Sequence, residues 1–207
     1  MAERRAGVLR LGERAFGAEE LLVMGIVPAG SMERVDAAVA EGADLVEIGD
    51  PGSGTGSFVA AVRKAYPELV IGVRAGRPEV AREAGAAGAD LLSGSEGWVS
   101  EVAASFGMGV AGPLSGAALA VAAGVAAERV MVEDGEGLAE AVGSGWPVLA
   151  SFDDREEDGR LAAMAVAAWL GARVFRVERV RAARRALRMV SAIRGDIPPA
   201  CAVRGLG

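Results

Sequence analysis

The 207-residue chain is 52% hydrophobic and 24% charged, which excludes intrinsic disorder, and its net charge of −6 argues against broad binding to a nucleic-acid backbone. It contains no His, Asn or Gln, one Lys (Lys64), one Thr (Thr55) and 21 Arg. Ser-His and Cys-His nucleophile pairs and His-ligated zinc are therefore excluded, and acid–base work falls to Asp, Glu, Tyr66, Cys201 or Lys64.

In chain order, Gly7–Phe16 reads as a short hairpin. Strand–helix pairs follow: Leu21–Val27 with Met32–Ala40, Ala43–Ile48 with Ser57–Ala65, and Leu69–Val73 with Pro78–Ala86. Next come Ala89–Leu92 with Trp98–Ser105, and Met108–Ala111 with Ser115–Gly124. Arg129–Val132 with Gly137–Val142, Pro147–Ser151 with Glu157–Leu170, and Arg173–Val177 with Arg179–Arg194 complete the count. Short apolar runs are buried parallel strands, and Pro78 suits a first helical turn. Eight such units predict a compact α/β (β/α)8 TIM barrel with an N-terminal β-hairpin across its bottom, a single domain over residues 1–207.

Three segments are near copies: Glu41–Gly49, Ala87–Gly94 and Leu170–Glu178. Each has a helix-ending Gly, an Ala-Asp or Ala-Arg step and an apolar run. Val102–Ala127 carries no charge, but its Ala, Gly and Ser content and Pro113 predict helix end, strand, turn and helix rather than a membrane span. The final helix puts Val180, Ala183, Leu187 and Val190 on one face, and Arg181, Arg184, Arg185 and Arg188 on a solvated basic side. One cysteine and a charged start (MAERRAG) suit a cytoplasmic protein without a signal peptide.

In a barrel, chemistry sits where the strands end. The candidates there are Val27–Ser31, Glu47 with Gly49-Asp50-Pro51, Arg74, Ser93-Gly94-Ser95, Glu133-Asp134, Asp153-Asp154-Arg155, and Arg176 with Glu178. Arginines among carboxylates could bind an anion and polarise a nitrogen heterocycle, or could form a ring of mutually neutralising pairs. The Gly52–Ser57 loop lacks the Gly-Lys-Ser/Thr ending of a phosphate loop and reads as a connector. The acidic run Asp153–Asp158 reads as favourable charge at a helix start, with no EF-hand spacing for Ca²⁺.

The order LVMGIV (Leu22–Val27), GADLVEIG (Gly42–Gly49), RPEVAREAGAAGADLL (Arg77–Leu92), PVLASF (Pro147–Phe152) and GARVFRVERVRAARRALRMVSAIRG (Gly171–Gly195) resembles dihydropteroate synthase over nearly the whole chain. The resemblance implies a TIM barrel, often a homodimer. It also implies a transferase of folate biosynthesis that joins a dihydropterin pyrophosphate to p-aminobenzoate, with Mg²⁺ on the pyrophosphate. Carried over by residue, the family's Asn after strand one falls on Pro28, and the long loop after it is cut to Pro28–Ser31. Its Thr-Arg pair falls on Ser53-Gly54, its pterin-contacting Asp on Arg74 and its Asn on Ser93. A pterin-binding Asp falls on Glu133, the Ser-Arg-Lys run on Asp153-Asp154-Arg155, and the final Arg and His on Arg176 and Glu178.

Several readings follow from that resemblance. One is a divergent barrel with a degenerate site, either binding a pterin, folate or other small anion through Glu47, Ser93, Glu133, Arg155, Arg176 and Glu178, or acting as a non-catalytic paralogue. A second is an active synthase with a rewired pocket, for which Mg²⁺ is retained; otherwise no metal or cofactor is expected. A third is another barrel enzyme, such as a methyl-folate methyltransferase. A fourth is a structural subunit whose mouth is plugged by its own side chains. The expected partner is a small molecule, with neither nucleic acid nor membrane.

Overall fold

A computed structural model of the chain describes residues 7–49, 52, 54–152 and 156–198. Asp50, Pro51, Ser53, the Asp153-Asp154-Arg155 run and Cys201 lie outside the described residues. The chain opens with an antiparallel hairpin of β1 (Leu9–Leu11) and β2 (Arg14–Phe16). The barrel follows: β3 (Leu22–Pro28), α1 (Met32–Ala40), β4 (Leu45–Gly49), α2 (Thr55–Ala65), β5 (Val70–Arg74), α3 (Pro78–Ala86), β6 (Leu91–Ser93) and α4 (Gly97–Phe106). It continues with β7 (Gly109–Gly112), α5 (Leu114–Ala122), β8 (Val130–Glu133), α6 (Leu138–Gly143), β9 (Val148–Ser151), α7 (Glu157–Leu170), β10 (Val174–Val177) and α8 (Val180–Arg194). β3 to β10 pair in parallel, and β10 closes on β3 with Val174 opposite Leu22. The predicted TIM barrel and hairpin are therefore both present.

The uncharged stretch divides as expected among α4, β7 and α5, and no helix among the described residues is long and apolar enough to cross a membrane. Most expected strands begin a residue or two early. Leu21, Leu69, Ala89 and Met108 are buried, but in the turns that lead into strands, so apolarity there reports packing without pairing. Several strands also run one residue further than expected, to Pro28, Gly49, Arg74, Ser93, Gly112 and Glu133. Arg74, Ser93 and Glu133 among these keep the lumen-facing parity of Val70, Leu91 and Met131.

Side chains alternate between two cores. One set packs outward against the helices, and the other fills the lumen with Leu22, Met24, Leu45, Val70, Leu91, Met131, Leu149 and Val174. Leu9, Leu11 and Phe16 of the hairpin belong to the lumen cluster and are fully buried, so the hairpin is the barrel's floor. Burying such a side chain contributes about 1.5–3 kcal/mol. Gly109 on β7 makes room for that floor: a Cβ there would sit 2.7 Å from Leu11 Cδ2 and from the Arg129 carbonyl.

Two of the repeated segments build the same device below the barrel. Asp44 accepts the Val23 amide at 2.8 Å and pairs with Arg184, which also donates to the Gly42 and Leu21 carbonyls. Asp90 accepts the Ile71 amide at 2.8 Å and pairs at 2.5 Å with Arg63, which donates to Gly88 and Leu69. In both, an Asp entering one strand caps the preceding strand and is gripped by an Arg from the helix on that strand's far side. Arg184 is thus committed to Asp44 rather than lying on a solvated basic face of α8. The third copy carries Arg173 in place of Asp, and this buried guanidinium turns down to the carbonyls of Gly7, Phe16 and Gly17, tying in the hairpin. Burial lowers the Arg173 pKa, against the opposing effect of Glu20 and Glu19.

Candidate functional site

Two residues beyond the apolar lumen layer, five strands present a polar inward side chain at the mouth. Leu45 is followed by Glu47, Leu91 by Ser93, Met131 by Glu133, Leu149 by Ser151 and Val174 by Arg176. The period of two that makes the lower layer apolar makes this upper layer polar. β5 has Gly72 at that level, and Arg74 follows at the rim.

The layer closes on itself. Arg176, only 6% exposed, places Nε 2.8 Å from Glu47 Oε2 and donates from Nη2 to Glu47 Oε1 at 2.8 Å. The Nε contact is an ion pair without good hydrogen-bond alignment. Nη2 also reaches Glu133 Oε1 at 3.0 Å, and Nη1 donates to Ser151 Oγ at 3.2 Å. Ser93 Oγ donates to Glu47 Oε1 at 2.6 Å. Arg74 lies across the top, its Nη2 3.0 Å from Glu133 Oε1 and its Nε 3.6 Å from Glu47 Oε2.

Desolvation opposes charge on Arg176, but Glu47 and Glu133 outweigh it and raise its pKa overall. Asp134, next to Glu133, accepts the Ser151 amide at 3.3 Å. Burial raises its pKa and the neighbouring Glu133 charge adds to the rise, partly offset by hydrogen bonds from the Ser151 and Asp134 amides and by Arg176.

The structure therefore brings together Glu47, Ser93, Glu133 and Arg176, with Arg74 beside them. It does not bring in Glu178, whose side chain is 65% exposed and pairs with Arg160 at 3.6 Å between α7 and α8. Arg155 lies outside the described residues. Ser151 was not singled out from the sequence; its signal is its place two residues after Leu149, level with Arg176 in the ladder. The loops at this end are short: no strand-to-helix connection exceeds five residues, the longest being 50–54 and 152–156. Thr55 Oγ1 donates to the Gly52 carbonyl at 2.8 Å at the start of α2.

Comparison with known proteins decides the family. A Mycobacterium tuberculosis protein named inactive dihydropteroate synthase 2 is 33% identical over a 253-position alignment spanning 86% of this chain and 80% of the relative. The chain belongs to the dihydropteroate synthase family. A Mycobacterium leprae protein of the same name is 34% identical, with 82% of this chain and 84% of the relative covered. The solved structure of Mycobacterium tuberculosis Rv1207 superposes with a TM-score of 0.83 at 35% identity, covering 94% of this chain and all of that one. Burkholderia cenocepacia dihydropteroate synthase complexed with 7,8-dihydropteroate shares the fold, with a TM-score of 0.78 at 23% identity over 91% of this chain and 97% of that one. No family model matches the chain.

The Mg²⁺ of the dihydropteroate synthase reaction does not fit the residues present. Pro28 stands where the resemblance places the metal-serving Asn, and it has no side-chain donor. Glu47 and Glu133 are turned to arginines. Among the described residues, no group of three or more His, Cys, Asp or Glu could hold a metal.

Proposed function

We propose that this chain is a non-catalytic dihydropteroate synthase paralogue whose barrel mouth is filled by its own charged side chains. The observation that carries this reading is Arg176: the one retained arginine of the family's final motif is engaged by Glu47, Glu133 and Ser151. To bind a pterin pyrophosphate it would have to leave a buried carboxylate. Arg74 in place of an Asp and Ser93 in place of an Asn remove groups matched to a pterin's donor–acceptor edge, at about 1–3 kcal/mol for each buried polar atom left unpaired. Glu178 adds negative charge near the would-be pyrophosphate. The names of the mycobacterial relatives support the same reading.

The test is calorimetry with the dihydropterin pyrophosphate and Mg²⁺, a turnover assay with p-aminobenzoate, and complementation of a folate-auxotrophic strain. Absence of turnover and of complementation is expected. Micromolar binding followed by product formation would return the chain to the active synthases.

The same reading includes a second copy as partner. Val166, Trp169 and Leu170 on α7 and Met189 and Ile193 on α8 are each 52–65% exposed. The two helices pack on each other, with Arg194 Nη1 donating to the Ala168 carbonyl at 3.2 Å. Five large apolar side chains on one face amount to an exposed patch on the order of 400–500 Å². Self-association about a two-fold axis would bury twice that, near the lower limit for a specific interface of about 1,000 Å². Sedimentation should show a dimer that Trp169→Glu dissociates; a monomer at all concentrations would remove this part of the reading.

A further inference from the structure

α5 carries no charged side chain, whereas every other barrel helix carries at least one. Within it only Ala117 and Ala120 are buried, while Leu119 is 68% exposed and Val121 39%. A helix that is apolar all round is normally covered, and a surface helix normally keeps a charged outer face. α5 does neither. It packs on β7, β8 and α4 but barely meets α6.

A groove of about 240 Å³ opens between α5 and α4, with Gly116, Leu119 and Ala123 on the α5 side and Val110 and Val130 beneath. Pockets that enclose a whole small organic ligand run to about 300–1,000 Å³, so this room suits the side chains of a larger partner. Along α5 the groove is lined from Pro113 to Ala123, roughly 15 Å or about three helical turns. Its rim is acidic. Glu96 and Glu101 line it, both exposed, and no Lys or Arg does. Glu96 accepts the Ser95 amide at 3.1 Å, and neither carboxylate has a cationic partner among the described residues.

We propose that the α4–α5 groove docks an amphipathic helical segment of a partner protein, its apolar side chains seated beside Leu119 and its Lys or Arg residues paired with Glu96 and Glu101. Burial of the apolar stripe supplies the affinity, and the two carboxylates select a basic partner over an acidic one. The groove shares no residue with the mouth network, and α6 separates it from the α7–α8 face. It therefore stands or falls apart from the loss of the synthase reaction and from self-association through α7 and α8.

The probe is a synthetic helix of about 14 leucines and lysines, with the leucines on one stripe, titrated calorimetrically into the full chain. The comparison peptide has every lysine replaced by glutamate. Saturable binding about tenfold or more tighter than the comparison peptide is expected. Gly116→Leu obstructs the groove and leaves α5 intact: a Cβ there meets nothing nearer than Pro113 at 3.7 Å, and leucine is the better helix former. It should weaken binding by about tenfold with no fall in melting temperature, and Glu101→Lys should weaken it by about as much. Glu79→Lys makes the same charge change on the exposed side of α3 and should alter affinity by less than about twofold. No saturation, equal affinity for the two peptides, indifference to Gly116→Leu, or an equal loss on Glu79→Lys would each overturn the proposal. So would a change of oligomeric state on Gly116→Leu without peptide, measured by sedimentation, because the occupant would then be a second copy of the chain.

Discussion

Arg176 and Glu47, 129 residues apart in sequence, meet at the barrel mouth as a two-point pair, Nε to Oε2 and Nη2 to Oε1 each spanning 2.8 Å. Glu47 is 2% exposed, and its carboxylate also accepts the Ser93 hydroxyl. A pair buried this deeply is costly to break from one side. Glu47→Ala should lower unfolding free energy by about 3–5 kcal/mol because it leaves a buried charge short of its partner. The double variant Glu47→Leu/Arg176→Leu should lose distinctly less, since both charges go together. Urea unfolding of the three proteins measures this, and a single-variant loss under about 1 kcal/mol would contradict the buried-pair account.

The two caps below the barrel should behave as equivalents. Asp44→Asn and Asp90→Asn each weaken a carboxylate held by a strand amide and an arginine, so each should cost about 1–3 kcal/mol. They share no partner, so the double variant should be additive to within about 0.5 kcal/mol. Markedly unequal losses would mean that the sequence repeat is not an energetic one.

Asp134 should show its environment in pH dependence. Its pKa is raised, chiefly by burial, so the folded state holds the proton more tightly than the unfolded chain does. Its contribution to stability is therefore fully present below the unfolded carboxylate pKa and is lost as pH rises through the folded one. Asp134→Asn, which keeps an acceptor for the Ser151 amide, should be the more stable protein at neutral pH. The gain should shrink as pH falls through the carboxylate range. Urea midpoints across pH test the sign; a variant destabilised at neutral pH would show that the ionised form is the favoured one.

Glycine positions separate packing from chain flexibility. Gly109→Ala pushes a methyl against Leu11 and the Arg129 carbonyl and should cost about 1–3 kcal/mol by overpacking. Gly97→Ala, at the first turn of α4 with open space around its Cβ, should be neutral or stabilising by about 0.4–1 kcal/mol. Thermal melts of the two variants should move in opposite directions or differ clearly in size.

Much of the architecture was legible in one dimension. Gly42 and Gly88, at φ +93° and +96°, stop their helices where the repeated segments indicated, because a left-handed residue there ends a helix cheaply. The apolar strands and the hairpin could be read from local pattern, and even the mouth layer is written as a switch from apolar to polar at a spacing of two. The family resemblance could be read as well, including where Pro28 and Arg74 depart from it. What the order of residues could not show was pairing across the barrel. The same Arg176, Glu133 and Glu47 could have lined an open anion site or neutralised one another, and only closure of the sheet selects the second. Arg184 presented the same difficulty on α8, where one helix side carries four arginines and only the neighbouring Asp44 singles one out. Local sequence determines which side chains face inward, because backbone geometry sets that period. Which charges meet depends on strand order and stagger in three dimensions, and buried ion pairs make sense only at that level.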